Sequence, residues 1–376
     1  MSFQQDPWDP IPRAAQLVRD GMAAGTHIGA QVYVSVKGTP VADLAFGEAR
    51  RGIAMRTDTL MPWFSCTKPL GAVALAKLWE HGDFDLDYPV ARFIPEFAAA
   101  GKHAVTLRHI LTHTGGFETV RFDPLSMPWD AIIERICSVP LHSGWVPGRK
   151  AGYKAQSSWY ILAEVIQRIS GRQFCAFVRR EIFEPLGMRD SWVGISREHF
   201  EAYGERAGTL YKTAPGSVPA PLHEDERILV CNPGGSGYGP VRELARLYES
   251  LLFRGKRGGV RILQPVTVEA LTSRHRVAMY DETFRHTMDW GLGFILDSNH
   301  YGRNTVPYGY GHHSSPRTFG HGGWQSSAAF ADPEHGLAVA VVFNGTPGEG
   351  RHNRRIRAFC TALYEDLGFA APGSEA

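Results

Sequence analysis

Strand-like sequence gathers at the two ends of this chain, and the stretch between them reads mainly as helix. Near the start, β-branched and alternating residues run over Ile28–Val36 and Val41–Phe46. Gly38-Thr39-Pro40 lies between them, the pattern of a hairpin. Strand-like segments return at Gly291–Leu296, Ser326–Ala331 and Leu337–Phe343, the last two joined by the turn residues Asp332-Pro333-Glu334-His335-Gly336. Helical periodicity marks Ile11–Ala24 and residues 128–138, 156–170, 173–185 and 241–253; Leu162, Val165, Ile166 and Ile169 share one face. A last helix gathers Ile356, Phe359, Cys360, Leu363 and Leu367 on one side, an apolar stripe suited to covering a sheet.

The simplest arrangement is an α/β fold whose sheet is built from both chain ends. A discontinuous α/β domain would comprise residues 1–68 and 255–376, with a mostly helical domain at 69–254 and the active site at their interface. The length of 376 residues suits two packed units. Residues 203–225, with Pro215, Pro219 and Pro221, read as a long surface loop bordering a pocket.

Chemistry enters at Ser65-Cys66-Thr67-Lys68, which is followed by Pro69-Leu70 and the alanine-rich run Gly71–Ala76. On a helix, residues at i and i+3 share a face, so Ser65 and Lys68 can meet. A serine hydroxyl becomes a useful nucleophile when something takes its proton, and a partly desolvated amine can do so. The alternative is a helix-capping serine with a solvated lysine one turn on. Trp63-Phe64 before the pair and the apolar run after it place it at the edge of a core, which favours a site. Cys66 is the other nearby nucleophile, but on a helix it points about 100° away from Ser65 and is assigned to packing.

Lys plus Arg number 40 and Asp plus Glu 38, so no net field steers the protein to nucleic acid or an anionic membrane. A small molecule is the expected partner. Residues 1–7 carry no basic and apolar leader pattern, and no stretch has the length of a membrane span. The five cysteines lack C-x-x-C spacing, and their odd number argues against a disulfide framework; a reducing cytoplasm is expected. No cofactor is expected. A metal site at His312, His313 and His321 is disfavoured, because no H-x-x-x-H pair or carboxylate cluster accompanies them.

A serine–lysine pair needs a group to shuttle the proton and donors for the developing oxyanion. Tyr153-Lys154-Ala155 follows Pro147-Gly148 at a short interval, and Phe319-Gly320-His321-Gly322-Gly323-Trp324 precedes a strand pair. With Ser65-Cys66-Thr67-Lys68-Pro69 and the turn Leu107–Gly116, these segments resemble, in order and spacing, the serine β-lactamase and penicillin-binding-protein superfamily. The likeness is to its class C-like branch, which includes family VIII carboxylesterases and related acyltransferases. It extends over most of the chain.

The resemblance implies an antiparallel sheet flanked by N- and C-terminal helices, a mostly helical domain, and an acyl-serine mechanism. Ser65 would be the nucleophile, with Lys68 and Tyr153 a coupled pair in which either could be the base. Tyr153 would pass a proton to the leaving atom. Tyr160 is its rival, but it falls inside the next helix, where a tyrosine is more often packing. His321-Gly322-Gly323 would form the strand beside the site, and the N–H groups of Ser65 and Trp324 would bind the oxyanion. Trp63, Phe117, Trp129, Tyr238, Tyr308, Tyr310 and Trp324 fall in or near segments expected around the cleft, although core packing explains some of them equally well.

Two positions depart from the peptidase and lactamase pattern. Ala155 stands where those enzymes usually have an asparagine that holds the substrate amide, and His321 stands where lactamases commonly have a lysine for the substrate carboxylate. An ester needs neither contact. The expected activity is therefore hydrolysis of a carboxylic ester, or transfer of its acyl group to an alcohol or amine. The alternatives are a β-lactamase or DD-peptidase and a module that acylates without turnover. An α/β-hydrolase is disfavoured by the lack of a G-x-S-x-G elbow. Arg351, Arg354, Arg355 and Arg357, which open the last helix, read as a solvated face.

Overall fold

The computed structural model describes residues 10–117, 120–214, 218–222 and 225–370. Residues 1–7, where a leader was sought, lie outside these, as do parts of the 203–225 loop. After helix α1 (Pro12–Ala23) the chain enters β1 (Gly29–Val36), β2 (Thr39–Arg50), β3 (Ile53–Ala54) and β4 (Met61–Phe64), then helix α2 (Lys68–Trp79). Helices α3 (Ser157–Ser170) and α4 (Val241–Leu252) follow. Then come β5 (Arg276–Asp281), β6 (His286–Trp290), β7 (Ile295–Leu296), β8 (Phe319–Gly323), β9 (Ser327–Asp332), β10 (Leu337–Phe343) and the long helix α5 (Glu349–Asp366).

Nine of these strands form one antiparallel sheet in the order β5-β6-β7-β8-β9-β10-β1-β2-β3. Strand β1 lies between its hairpin partner β2 and the late strand β10, with Val32 opposite Val341. The sheet is covered on both faces, so β9 and β10 are buried along their whole length. Side chains alternate between the faces. Leu337, Val339, Val341 and Phe343 meet α1 and α5, while Ala338, Ala340 and Val342 meet α4 and α2. Ala340 pairs with Ala329 and Ala338 with Ala331, and these small residues let α4 pack closely on the sheet. Each fully buried valine, leucine or phenylalanine contributes roughly 1.5–3 kcal/mol.

The terminal helices are tied to one another. The residue before α1 is Ile11, which has no side chain to cap the helix, so its first N–H groups need partners from elsewhere. Asp366, at the far end of α5, accepts from Arg13 N (3.2 Å) and Ala14 N (2.9 Å). Its negative charge also suits the positive end of the α1 dipole.

Four expectations need correction. The strand expected at Gly291–Leu296 is split: β6 ends at Trp290, a turn closes through Gly291 N to Phe294 O (3.0 Å), and β7 holds only two residues. The turn packs on α2 so tightly that a Cβ on Gly293, which has φ +85°, would lie 2.6 Å from Ala72 Cβ. The loop at 203–225 holds two short strands, Tyr211–Lys212 and Ala220–Pro221, while its Leu210 and Leu222 border a pocket as expected. Arg355 is not a solvated cation. It donates to Gln325 O (3.1 Å), Gly345 O (3.1 Å) and Thr26 O (3.3 Å), and burial lowers its pKa to about 9.

The fourth correction concerns the cysteines. Cys175, in the short helix Phe174–Val178, is bonded to Cys231, and Cys66, Cys137 and Cys360 are free and buried. An odd count hid one pair among buried thiols, and the cysteine argument for a reducing compartment falls with it. Reduction, or Cys175→Ser, is expected to lower stability by about 3 kcal/mol, since the bond closes a long loop. Urea unfolding with and without a thiol reductant measures this, and an unchanged midpoint would refute it. No helix among the described residues is long and apolar enough to cross a membrane.

Candidate active site

Strand β4 delivers Ser65 to a sharp corner. Phe64 adopts φ +48° and ψ −127°, a region that L-residues rarely occupy, and a single 3₁₀ turn over Ser65–Thr67 then leads into α2. Thr67 holds the corner by donating to Phe64 O (2.6 Å) and accepting from Gly237 N (2.8 Å). From the sheet side, Ser327 Oγ donates to Trp63 O (2.9 Å).

The corner brings Ser65, Lys68 and Tyr153 together. Ser65 Oγ lies 2.7 Å from Lys68 Nζ and accepts from Tyr153 OH at 2.8 Å. Lys68 also donates to Gly234 O (2.6 Å), a carbonyl that can only accept. It is fully buried, and burial holds its pKa well below the usual lysine value. Burial likewise pushes the Tyr153 phenol up. Both shifts favour uncharged groups, so the amine keeps a lone pair free for the Ser65 proton. Cys66 is buried and donates to His321 O (3.1 Å), and burial raises its thiol to about 12. It is a packing residue.

Tyr153 is held by residues that sequence reasoning did not single out. His113, in the Leu107–Gly116 turn, packs its ring 4.7 Å from Tyr153, and its Nδ1 accepts from Lys154 N (3.1 Å). Asp281, paired with buried Arg276 at 3.1 Å, accepts from Tyr153 N (3.2 Å). The turn itself was legible, but nothing in its pattern separated His113 from its neighbours. Tyr160 lies in α3 with its ring 5.0 Å from both Phe122 and Trp129, and among the described residues its OH reaches only Cys231 O at 3.5 Å.

Strand β8 forms the other wall. Gly322 and Gly323 are needed for close approach: a Cβ on Gly322 would lie 2.1 Å from the Tyr308 ring, and one on Gly323 would lie 2.3 Å from Trp63 O. His321 is buried and its Nδ1 donates to Gly322 O (2.8 Å), which fixes the tautomer. Burial lowers its pKa to about 3, so it is neutral at ordinary pH. Trp324 begins the turn after β8 and meets Phe64 edge-on at 5.5 Å, which brings the segments carrying Trp324 N–H and Ser65 N–H together.

A cavity of about 710 Å³ opens over Ser65, lined by Phe64, Tyr153, Ala155, Leu222, His321 and Trp324 among others. Of the aromatic residues expected around it, Tyr308 and Trp324 line it, while Trp63, Phe117, Tyr238 and Tyr310 are core residues. Trp129 packs on Tyr160. Phe284 and Glu349, not expected there, also line it.

The esterase EstB of Burkholderia gladioli is 28% identical over 376 residues, spanning 90% of this chain and 91% of that protein. A penicillin-binding-protein homologue from Caulobacter crescentus superposes with a TM-score of 0.79 at 29% identity, over 96% of this chain and 98% of its own. A family VIII carboxylesterase superposes with a TM-score of 0.78 at 26% identity, over 97% and 99%. The family described as Beta-lactamase matches residues 14–362. The chain therefore belongs to the Beta-lactamase family, within a serine hydrolase superfamily, and its fold is the one the resemblance implied.

Proposed function

We propose that this protein is an acyl-serine enzyme that cleaves carboxylic esters and passes the acyl group to water, or to an alcohol or amine. The observation that carries the reading is the shared contact of Ser65 Oγ with Lys68 Nζ at 2.7 Å and Tyr153 OH at 2.8 Å. Neutral Lys68 takes the Ser65 proton as Oγ attacks the ester carbonyl. The N–H groups of Ser65 and Trp324 stabilise the resulting oxyanion. Tyr153 gives its proton to the departing alkoxide and regains one from Lys68. In the second half, water or another acceptor attacks the acyl-enzyme with its proton passing back along the same groups.

The preference for esters rests on two positions, 155 and 321. Ala155 offers no amide to a peptide or lactam, and neutral His321 offers no charge to a carboxylate. The names of the Burkholderia esterase and the family VIII carboxylesterase agree with this reading. Intact-mass analysis with product identification tests it, using a panel of simple esters, one chromogenic lactam, and optional alcohol or amine acceptors. Multiple turnover of an ester through a transient acyl adduct is the expected result. Rapid lactam opening with poor ester cleavage would reverse the substrate assignment, and a persistent stoichiometric adduct would identify a module that does not turn over.

A further inference from the structure

Beside Tyr153 the cleft wall is aromatic and then acidic. The Tyr153 ring lies 4.8 Å from Phe284, and Phe284 lies 5.6 Å from Tyr308. Tyr308 OH donates to Glu349 Oε2 (2.6 Å). Phe284, Tyr308 and Glu349 all line the cavity. The backbone on either side of the pair is anchored: Tyr308 N donates to Asn353 Oδ1 (2.9 Å), and Gly348 N, next to Glu349, donates to Gln325 Oε1 (2.6 Å).

Glu349 is exposed to the cleft, and among the described residues no basic side chain forms an ion pair with it. Burial raises its carboxyl, and the hydrogen bond from Tyr308 opposes this. The other charged lining residue is Arg227, next to Ile228 in the turn at 225–229, so the cavity carries one charge of each sign. Lys68 and His321 are held neutral by burial. A carboxylate beside two aromatic faces attracts a cation through both charge and the ring quadrupoles.

The position of this group decides which part of a substrate it meets. Tyr153 delivers its proton to the leaving atom, so the leaving group rests against Tyr153 and extends over the Phe284 ring that touches it. We propose that Phe284, Tyr308 and Glu349 form a subsite for the cationic part of an ammonium-bearing leaving alcohol. This inference rests on the acyl-serine ester reading above. A competing role for Glu349, as the first residue of α5 favouring the helix dipole, would affect all substrates alike.

Two esters of one acyl group separate these roles: one with 2-(trimethylammonio)ethanol, the other with 3,3-dimethylbutan-1-ol, which has the same shape and no charge. The protein is expected to favour the cationic ester by about tenfold in kcat/KM, and Glu349→Gln to bring the ratio to about one. The ratio is internal to each variant, so a loss of folded protein cancels. A ratio near one in the unsubstituted protein, or one unchanged by Glu349→Gln, overturns the subsite while leaving the ester reading intact if the neutral ester is cleaved. If neither ester is cleaved, the ester panel above decides the ester reading, and calorimetric titration with choline decides the subsite. Binding that is lost in Glu349→Gln upholds it, and no binding overturns it.

Discussion

Ser65→Ala is expected to lower kcat/KM for a simple ester by roughly 10⁴- to 10⁶-fold and to abolish the acyl adduct, the scale of loss when a hydrolase loses its nucleophile. The Ser65 hydroxyl is the meeting point of Lys68 and Tyr153, so on the proposed mechanism its removal deletes the attacking atom and separates the two proton carriers. The corner that presents it remains, because Thr67 and Ser327 hold the backbone from either side. Thermal unfolding should therefore be nearly unchanged while turnover disappears. Full retention of activity would remove Ser65 from the mechanism.

Tyr153→Phe is expected to slow acylation by about 10²- to 10⁴-fold, the range for losing a positioned proton donor. The phenylalanine ring keeps the contacts with His113 and Phe284, so the loss reports on the hydroxyl. Tyr160→Phe is the control. Its hydroxyl makes one long contact in a packed aromatic cluster, and activity should stay within about twofold, with at most about 1 kcal/mol lost in stability. Single-turnover kinetics with both variants gives the comparison, and the reverse pattern would move the proton shuttle to Tyr160. In the unsubstituted protein, kcat/KM should fall as the pH drops through the lowered Lys68 pKa. On the proposed mechanism the amine must be unprotonated to accept the serine proton, and its burial places that limb well below the ordinary lysine range.

Local pattern carried much of the fold and left specific gaps. The hairpin at Gly38-Thr39-Pro40 and the turn at 332–336 were readable because turn residues interrupt β-branched runs. Strand β6 was not, because His286-Thr287-Met288-Asp289-Trp290 has no clear alternation and the apolar residues after it belong to a glycine turn pressed on α2. For the site, the interval after Pro147-Gly148 pointed to Tyr153, whose OH lies 2.8 Å from Ser65 Oγ. Glu349 gave no signal, since an acidic residue opening a helix is ordinary, and only the tertiary fold carries it into the cleft. The Cys175–Cys231 bond was hidden for a related reason: the parity of a cysteine count says nothing about which thiols the fold brings together.

The position of β1 between β2 and β10 sets an order of assembly. The hairpin of β1 and β2 is made early in synthesis, yet Gln31 faces Val342, so half of its hydrogen-bonding edge waits for almost the whole chain. Helix α1 waits longer still, for Asp366. Pairing over such separations is slow, because loop closure must precede the contacts that reward it. Until β10 arrives, β1 is an apolar strand with an open edge, the kind of surface that joins other chains. Production of this protein should thus depend more on protecting its first strands while the rest is being made than on the stability of the finished sheet.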